Sequence, residues 1–150
     1  MNMRPSLSSI FMSTALLFAK RSTCLRKQVG AVLVKDNRIV STGYSGAPPG
    51  CQHCTDVGCL IGSNNGCIRT IHAETNVILF AAKNGISTNN TRLYTTLSPC
   101  LDCAKLIVAS GINEIYYYDK YRDEEPIIFL QSLNVSVCYC TPELIGDSYD

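Results

Sequence analysis

The sequence predicts an α/β protein: a mixed sheet of about five strands with helices on both faces, three layers in all, formed by one domain spanning residues 1–150. Three observations carry that prediction. The second half alternates β-rich apolar runs with helical stretches, the pattern of strands joined by right-handed crossovers. The first half holds two β-rich runs separated by a short polar turn, which must pair antiparallel. A hydrophobic content of 46% over 150 residues supplies one buried core, and the chain is too short for two.

Taken in order, Leu7, Ile10, Phe11, Thr14, Leu17 and Phe18 recur at helical spacing and predict an amphipathic first helix. A secretory signal fits poorly, because Ser6, Ser8, Ser9 and Ser13 interrupt the apolar stretch and Lys20-Arg21 stand where a cleavage site is small and neutral. No run reaches the ~18 apolar residues that cross a bilayer, so no membrane association is expected. Val29 to Val34 and Arg38 to Tyr44 form a hairpin turning at Lys35-Asp36-Asn37. From Gly43 to Cys67 the chain is rich in glycine, proline and cysteine without periodicity, a long loop that a ligand or metal must hold. A helix opening at the His72 segment runs through Val77, Ile78 and Ala81 and stops at Asn84-Gly85. Leu93 to Thr96 is the next strand. Ser98 then caps a helix that Pro99 opens and Gly111 ends. Glu114 to Tyr118, a helix from about Asp123 to Leu133, and Val135 to Tyr139 complete the alternation, with the last three strands parallel. The final residues, with Glu143, Asp147 and Asp150, read as an acidic, loosely held tail.

The net charge is +1, from 13 basic and 12 acidic residues, and lacks the basic footprint of a protein that binds nucleic acid polymers. Small anionic ligands fit better. Nine cysteines is an odd number, and oxidation would consume thiolates that a metal site needs, so a reducing cytoplasm is the expected compartment, the host cytosol if the chain is phage-encoded.

The chemistry is concentrated in His72-Ala73-Glu74 and Pro99-Cys100-Leu101-Asp102-Cys103. One imidazole and two thiolates leave a tetrahedral zinc with an open position, which separates a catalytic zinc from a closed structural one. Zinc lowers the pKa of water held there from about 16 to about 7. Glu74, two residues from His72, is then placed to shuttle a proton and is not itself a ligand. Cys100 and Cys103 fall in the first turn of their helix, where unpaired amides favour thiolate. A C-x-x-C pair alone fits a redox couple or half a structural zinc site equally well; His-x-Glu upstream and proline before the pair select the catalytic reading. The combination resembles the zinc nucleobase deaminases, whose signature is H-x-E followed by P-C-x-x-C.

A fuller resemblance rests on Arg21-Ser22-Thr23-Cys24 to Val29-Gly30-Ala31-Val32, Ser41-Thr42-Gly43-Tyr44-Ser45-Gly46, Thr70-Ile71-His72-Ala73-Glu74 and Leu97 to Lys105. Across roughly residues 4 to 140 the chain resembles the deoxycytidylate deaminase family, and most of all its bacterial and phage branch, where Arg4-Pro5-Ser6 and His53-Cys54 also have counterparts. The resemblance implies a cytidine-deaminase-like fold and hydrolysis of dCMP to dUMP and ammonia, feeding thymidylate synthesis. It also implies a homohexamer activated by dCTP and inhibited by dTTP, both with Mg2+. By the same resemblance Ala73 and Ser45 lie in the substrate site, although Ser45 stands where the family has an asparagine whose amide binds nucleotide, and Gly43, Tyr44, Gly46 and Lys83 lie on the effector side. Cys24 and Cys54 match positions that hold a second, structural zinc in phage relatives, while Thr70 stands where a carboxylate is expected. Cys59 and Cys67, or His53, are candidates to complete that site, and buried free thiols are the competing reading. Cys51, Cys138 and Cys140 are read as structural.

For phosphate, the concentrated basic stretch is Lys20, Arg21, Arg26 and Lys27, with Arg26 chosen for a forked contact to an anionic oxygen; a solvated helix end is the alternative. Tyr121 follows a strand at its carboxyl end, where α/β sheets bind ligands, and is read as stacking on base or sugar, against the alternative of an exposed loop tyrosine. Two other functions share these motifs: deamination of a different cytosine, guanine or adenosine substrate, and a zinc-stabilised interaction module without catalysis. Near-neutral charge weighs against transfer RNA, and the retained Glu74 against the inactive module.

Overall fold

The Ser6 hydroxyl accepts a hydrogen bond from the Ser9 N–H at 3.1 Å and so satisfies one free amide at the start of α1, Leu7–Ala19. The buried face of α1 is not the stripe the spacing suggests. Phe11, Met12, Ala15 and Ala19 are buried, whereas Leu7 and Leu17 are 50% and 63% exposed. The cause lies in β1, Gly30–Lys35. A Cβ on Gly30 would stand 2.1 Å from the Ala15 carbonyl oxygen and 2.5 Å from the Ala19 nitrogen, so helix and strand meet backbone to backbone and admit only small side chains. That rotation brings Phe11 and Met12 against Val32, Val34 and Tyr94.

β1 turns into β2, Arg38–Tyr44, through Asp36 and Asn37, both at positive φ (50° and 59°), the backbone twist that two-residue hairpins favour and that Asp and Asn tolerate. The computed structural model describes residues 4–63 and 65–142 of the chain; the expected acidic tail with Glu143, Asp147 and Asp150 lies outside them. Within the segment read as a continuous loop there is one helical turn, α2 (Cys54–Val57), and an antiparallel bridge between Ile61 and Cys67. α3, Ala73–Lys83, follows and stops at Asn84 and Gly85 (φ 67°), as expected. Then come β3 (Thr91–Leu97), α4 (Leu101–Ala109), β4 (Ile112–Asp119), α5 (Glu125–Ser132) and β5 (Ser136–Tyr139). α4 differs from expectation at its start: Cys100, and not Ser98, occupies the N-cap, because the Ser98 hydroxyl accepts from the Tyr121 N–H at 2.6 Å.

The sheet order is β2-β1-β3-β4-β5, with β1 antiparallel to both neighbours and β3, β4 and β5 parallel. Alternation along β1 divides the core. Ala31 and Leu33 point to the side holding Ala73 and Val77 of α3, Ala104 and Ile107 of α4 and Leu130 of α5, while Val32 and Val34 point to α1. No described helix is long and apolar enough to cross a membrane.

Candidate metal centre and substrate pocket

Two helix starts meet at the centre. His72 is the N-cap of α3 and Cys100 the N-cap of α4, both in extended backbone, and Cys103 sits in the first turn of α4. His72 Nδ1 lies 3.5 Å from Cys100 Sγ and 3.4 Å from Cys103 Sγ, and the three ligand atoms all fall within 4.8 Å of one another. Nitrogen and sulfur ligands at zinc distances and a tetrahedral angle lie about 3.6 Å apart, so this donor set fits zinc. Among themselves the groups share protons. Hydrogen bonding from Cys103, and then from His72, brings the Cys100 thiol down to about 4, and the bond to Cys100 raises His72 to about 9. The bond with Cys100 and burial push Cys103 upward. A divalent cation competes for those protons, so loading the site releases them.

Glu74, in the first turn of α3, is 4% exposed. Burial raises its carboxyl above the ordinary range, opposed by its own backbone amide, the His72 charge and a hydrogen bond from Thr95. Thr95 Oγ1 lies 3.0 Å from Glu74 Oε1 and 2.9 Å from the Leu97 carbonyl. The sequence offered no signal for this buried strand residue, since the contact joins β3 to α3.

A pocket connects Glu74, His72, Ala73 and Cys100 to the exposed Arg26, Lys27 and Arg122. Tyr121 lines it too, with Lys27 Nζ 4.6 Å and Arg122 Cζ 5.4 Å from its ring centroid, so its face carries cations. Ser98 ties this end to the metal end: it bonds Tyr121 and stands two residues before Cys100. Arg122 is a basic residue that sequence reading missed, because the basic groups come from two loops far apart in the chain. Ser45 lines the pocket, but its hydroxyl is engaged by Ser22, Lys27 and Val29.

A second cluster brings together Cys54, Cys59 and Cys67, their sulfurs within 4.8 Å of one another and those of Cys54 and Cys67 3.6 Å apart. Cys24 does not join it. Cys24 instead lines the pocket, as Cys67 does, and His53 also stays outside the cluster, its Nδ1 buried without a hydrogen-bond partner. Burial pushes Cys54 up to about 12. For Cys67 burial is outweighed by the N–H groups of Arg69 and Leu60, which bring it down to about 7. The residues expected on the effector side do not line this pocket: a Cβ on Gly43 would stand 2.9 Å from the Ala73 oxygen, Tyr44 faces the Arg21 guanidinium, Gly46 bridges Ile71, and Lys83 ends α3.

An incomplete zinc coordination shell beside a buried carboxylate is the outline of a hydrolytic zinc centre. The chain belongs to the family described as the cytidine and deoxycytidylate deaminase zinc-binding region, which it matches over residues 5–119. It is 44% identical over 119 residues to ComE operon protein 2 of Bacillus subtilis, covering 79% of this chain and 62% of that protein. With the deoxycytidylate deaminase of Schizosaccharomyces pombe it shares 39% identity over 149 residues, covering 93% of this chain and 46% of that protein. The chain thus spans about half to three-fifths of the length of these two relatives. Among solved structures, the dCMP deaminase of cyanophage S-TIM5 in complex with dCMP and dUMP superposes with a TM-score of 0.81 at 34% identity, covering 93% of this chain and all (100%) of that one. The fold is the cytidine-deaminase-like three-layer arrangement expected from the sequence.

Proposed function

We propose that this protein is a zinc-dependent hydrolase that converts dCMP to dUMP and ammonia in the cytoplasm, supplying dUMP for thymidylate synthesis. One observation carries the reading: a single pocket holds a buried carboxylate beside a zinc donor set at one end and basic side chains at the other, the layout a nucleoside monophosphate needs. His72, Cys100 and Cys103 hold the zinc, which when bound supplies a Lewis acid and an activated water. Thr95 occupies Glu74 Oε1, leaving Oε2 to carry a proton from the attacking water to the departing amine. Ala73, first residue of α3, offers an N–H that the helix does not use to a pyrimidine carbonyl. Arg26, Lys27 and Arg122 take the phosphate, and Tyr121 closes over the sugar or base.

The same reading gives the chain a second, structural zinc at Cys54, Cys59 and Cys67, whose sulfurs stand at ligand spacing. It also includes a homohexamer activated by dCTP and inhibited by dTTP with Mg2+, with Gly43, Tyr44, Gly46 and Lys83 on the effector side. Resemblance to the family supports that part, and the exposed Leu79, Phe80 and Leu106 on α3 and α4 offer apolar surface for subunit contact.

The deciding experiment is ammonia release from dCMP, CMP, deoxycytidine and dCTP, each with and without dCTP or dTTP plus Mg2+. dCMP should be preferred over deoxycytidine by at least about a hundredfold, the discrimination two charge-assisted contacts provide. Release from deoxycytidine as fast as from dCMP would remove phosphate from the reading, and release from none of them would remove the activity. Kinetics indifferent to both triphosphates would reject the effector scheme alone.

A further inference from the structure

Residues 22–29 form neither helix nor strand before β1, and Leu25, Arg26, Lys27 and Gln28 are exposed. Two of these carry charge into the pocket, so something must fix a loop that has no ladder of its own. The structure assigns that task to Ser45: we propose that its hydroxyl is a clamp positioning the basic loop for phosphate recognition, and not a ligand of the nucleotide. The proposal rests on the reading that Arg26 and Lys27 meet the phosphate.

Ser45 is 5% exposed, and its Oγ accepts from the Val29 N–H at 3.1 Å, donates to the Lys27 carbonyl at 3.0 Å and lies 2.6 Å from Ser22 Oγ. A hydroxyl offers one proton and two lone pairs. With the Ser22 proton on the Ser45 carbonyl, the Ser45 proton serves Lys27 or Ser22 while a lone pair takes the Val29 N–H, so every hydrogen-bond partner of this hydroxyl belongs to residues 22–29. The Ser45 backbone closes the loop again: its N–H donates to the Val29 carbonyl at 2.9 Å, and its carbonyl accepts from the Thr23 N–H at 3.2 Å and the Ser22 hydroxyl at 2.7 Å. Ser22 Oγ accepts in turn from the Cys24 N–H at 3.2 Å. One residue at the end of β2 therefore grips both ends of the loop, Ser22-Thr23 on one side and Lys27 to Val29 on the other. Losing the hydroxyl leaves the buried Val29 N–H unpaired and frees the Lys27 carbonyl, the peptide beside the two basic side chains.

The test is steady-state kinetics of Ser45→Ala on dCMP and deoxycytidine. The preference for dCMP, as a ratio of kcat/KM values, should fall about tenfold, the size of one buried hydrogen bond. The loss should appear as a higher KM for dCMP with kcat within about twofold. In an Arg26→Ala/Lys27→Ala background the same change should cost nothing further, since a clamp acts only through what it positions. If Arg26→Ala/Lys27→Ala lowers the preference while Ser45→Ala leaves it unchanged, the clamp is overturned and the phosphate reading stands. If Arg26→Ala/Lys27→Ala itself leaves the preference unchanged, the assignment of Arg26 and Lys27 to the phosphate fails and the clamp with it. Should Ser45→Ala not fold, Ser22→Ala decides: a several-fold lower preference supports the clamp, and an unchanged one overturns it.

Discussion

Replacing Thr95 with valine should slow turnover and move the acidic limb of the pH–rate profile upward. Thr95 is fully buried in β3, and its hydroxyl lies 3.0 Å from Glu74 Oε1. Valine has nearly the same volume, so no cavity opens; what disappears is a hydrogen bond to a buried carboxylate, worth about 1.5–3 kcal/mol when the acceptor is ionised. The sign follows from the competing influences on Glu74, whose carboxyl burial raises and the Thr95 bond lowers. Without the bond Glu74 keeps its proton to higher pH, and a group that must accept a proton from water works only above its own pKa. The rate should therefore fall most at the acidic end of the profile and least at its alkaline end, with the zinc content unchanged. Ammonia release measured across pH, alongside metal analysis and thermal unfolding, checks this. An acidic limb that stays in place, with kcat/KM within about twofold of wild type, would show that Thr95 does not hold the carboxylate.

Glu74→Gln should keep zinc and fold while losing about 10² to 10⁴ in kcat, because an amide keeps the shape and relays no proton; turnover within about tenfold of wild type would end the shuttle role. Metal analysis of freshly purified protein should find more than one zinc per chain, and Cys59→Ser should remove the second and lower the melting temperature more than it lowers kcat. One zinc per chain in the wild type would leave those thiols merely buried. Gly30→Ala should destabilise the fold by about 1–3 kcal/mol, because the new Cβ meets backbone atoms of α1 at 2.1 and 2.5 Å that no rotamer change can clear. Thermal unfolding should show a drop of several degrees, and an unchanged melting temperature would mean that α1 shifts freely.

What could be read in the sequence depended on how local its cause is. The Lys35-Asp36-Asn37 turn was legible because two adjacent positive-φ residues favour Asp and Asn, and the end of α3 because Gly85 follows Asn84. The candidate zinc donors were legible because Cys100 and Cys103 fall within one helical turn and His72 stands two residues before Glu74 at the start of another. The buried face of α1 was not, since Gly30, beyond the helix, decides how close it lies and therefore which side chains fit. Ser98 looked like a helix cap by position, yet its hydroxyl serves Tyr121 across the site. Thr95 and Arg122 left no trace because each acquires its place only when strands and loops distant in sequence are brought together. The cysteine-rich segment announced a cluster, but its membership was settled by the bridge of Ile61 to Cys67, which leaves Cys24 facing the pocket.

His72, Glu74, Cys100 and Cys103 all stand at the starts of helices anchored on the sheet, while Arg26, Lys27, Tyr121 and Arg122 belong to segments outside every helix and strand. Under the proposed function, bond-making groups and discriminating groups thus have separate structural foundations. Exchanges at the exposed residues 25–28 or at 120–124 can redirect what enters the pocket without moving the donor atoms, because of these two loops only Val29, where the first one ends, belongs to the core beneath α3 and α4. Such a division favours divergence by loop replacement, and it marks those two segments as the places to begin when engineering a new substrate preference into this scaffold.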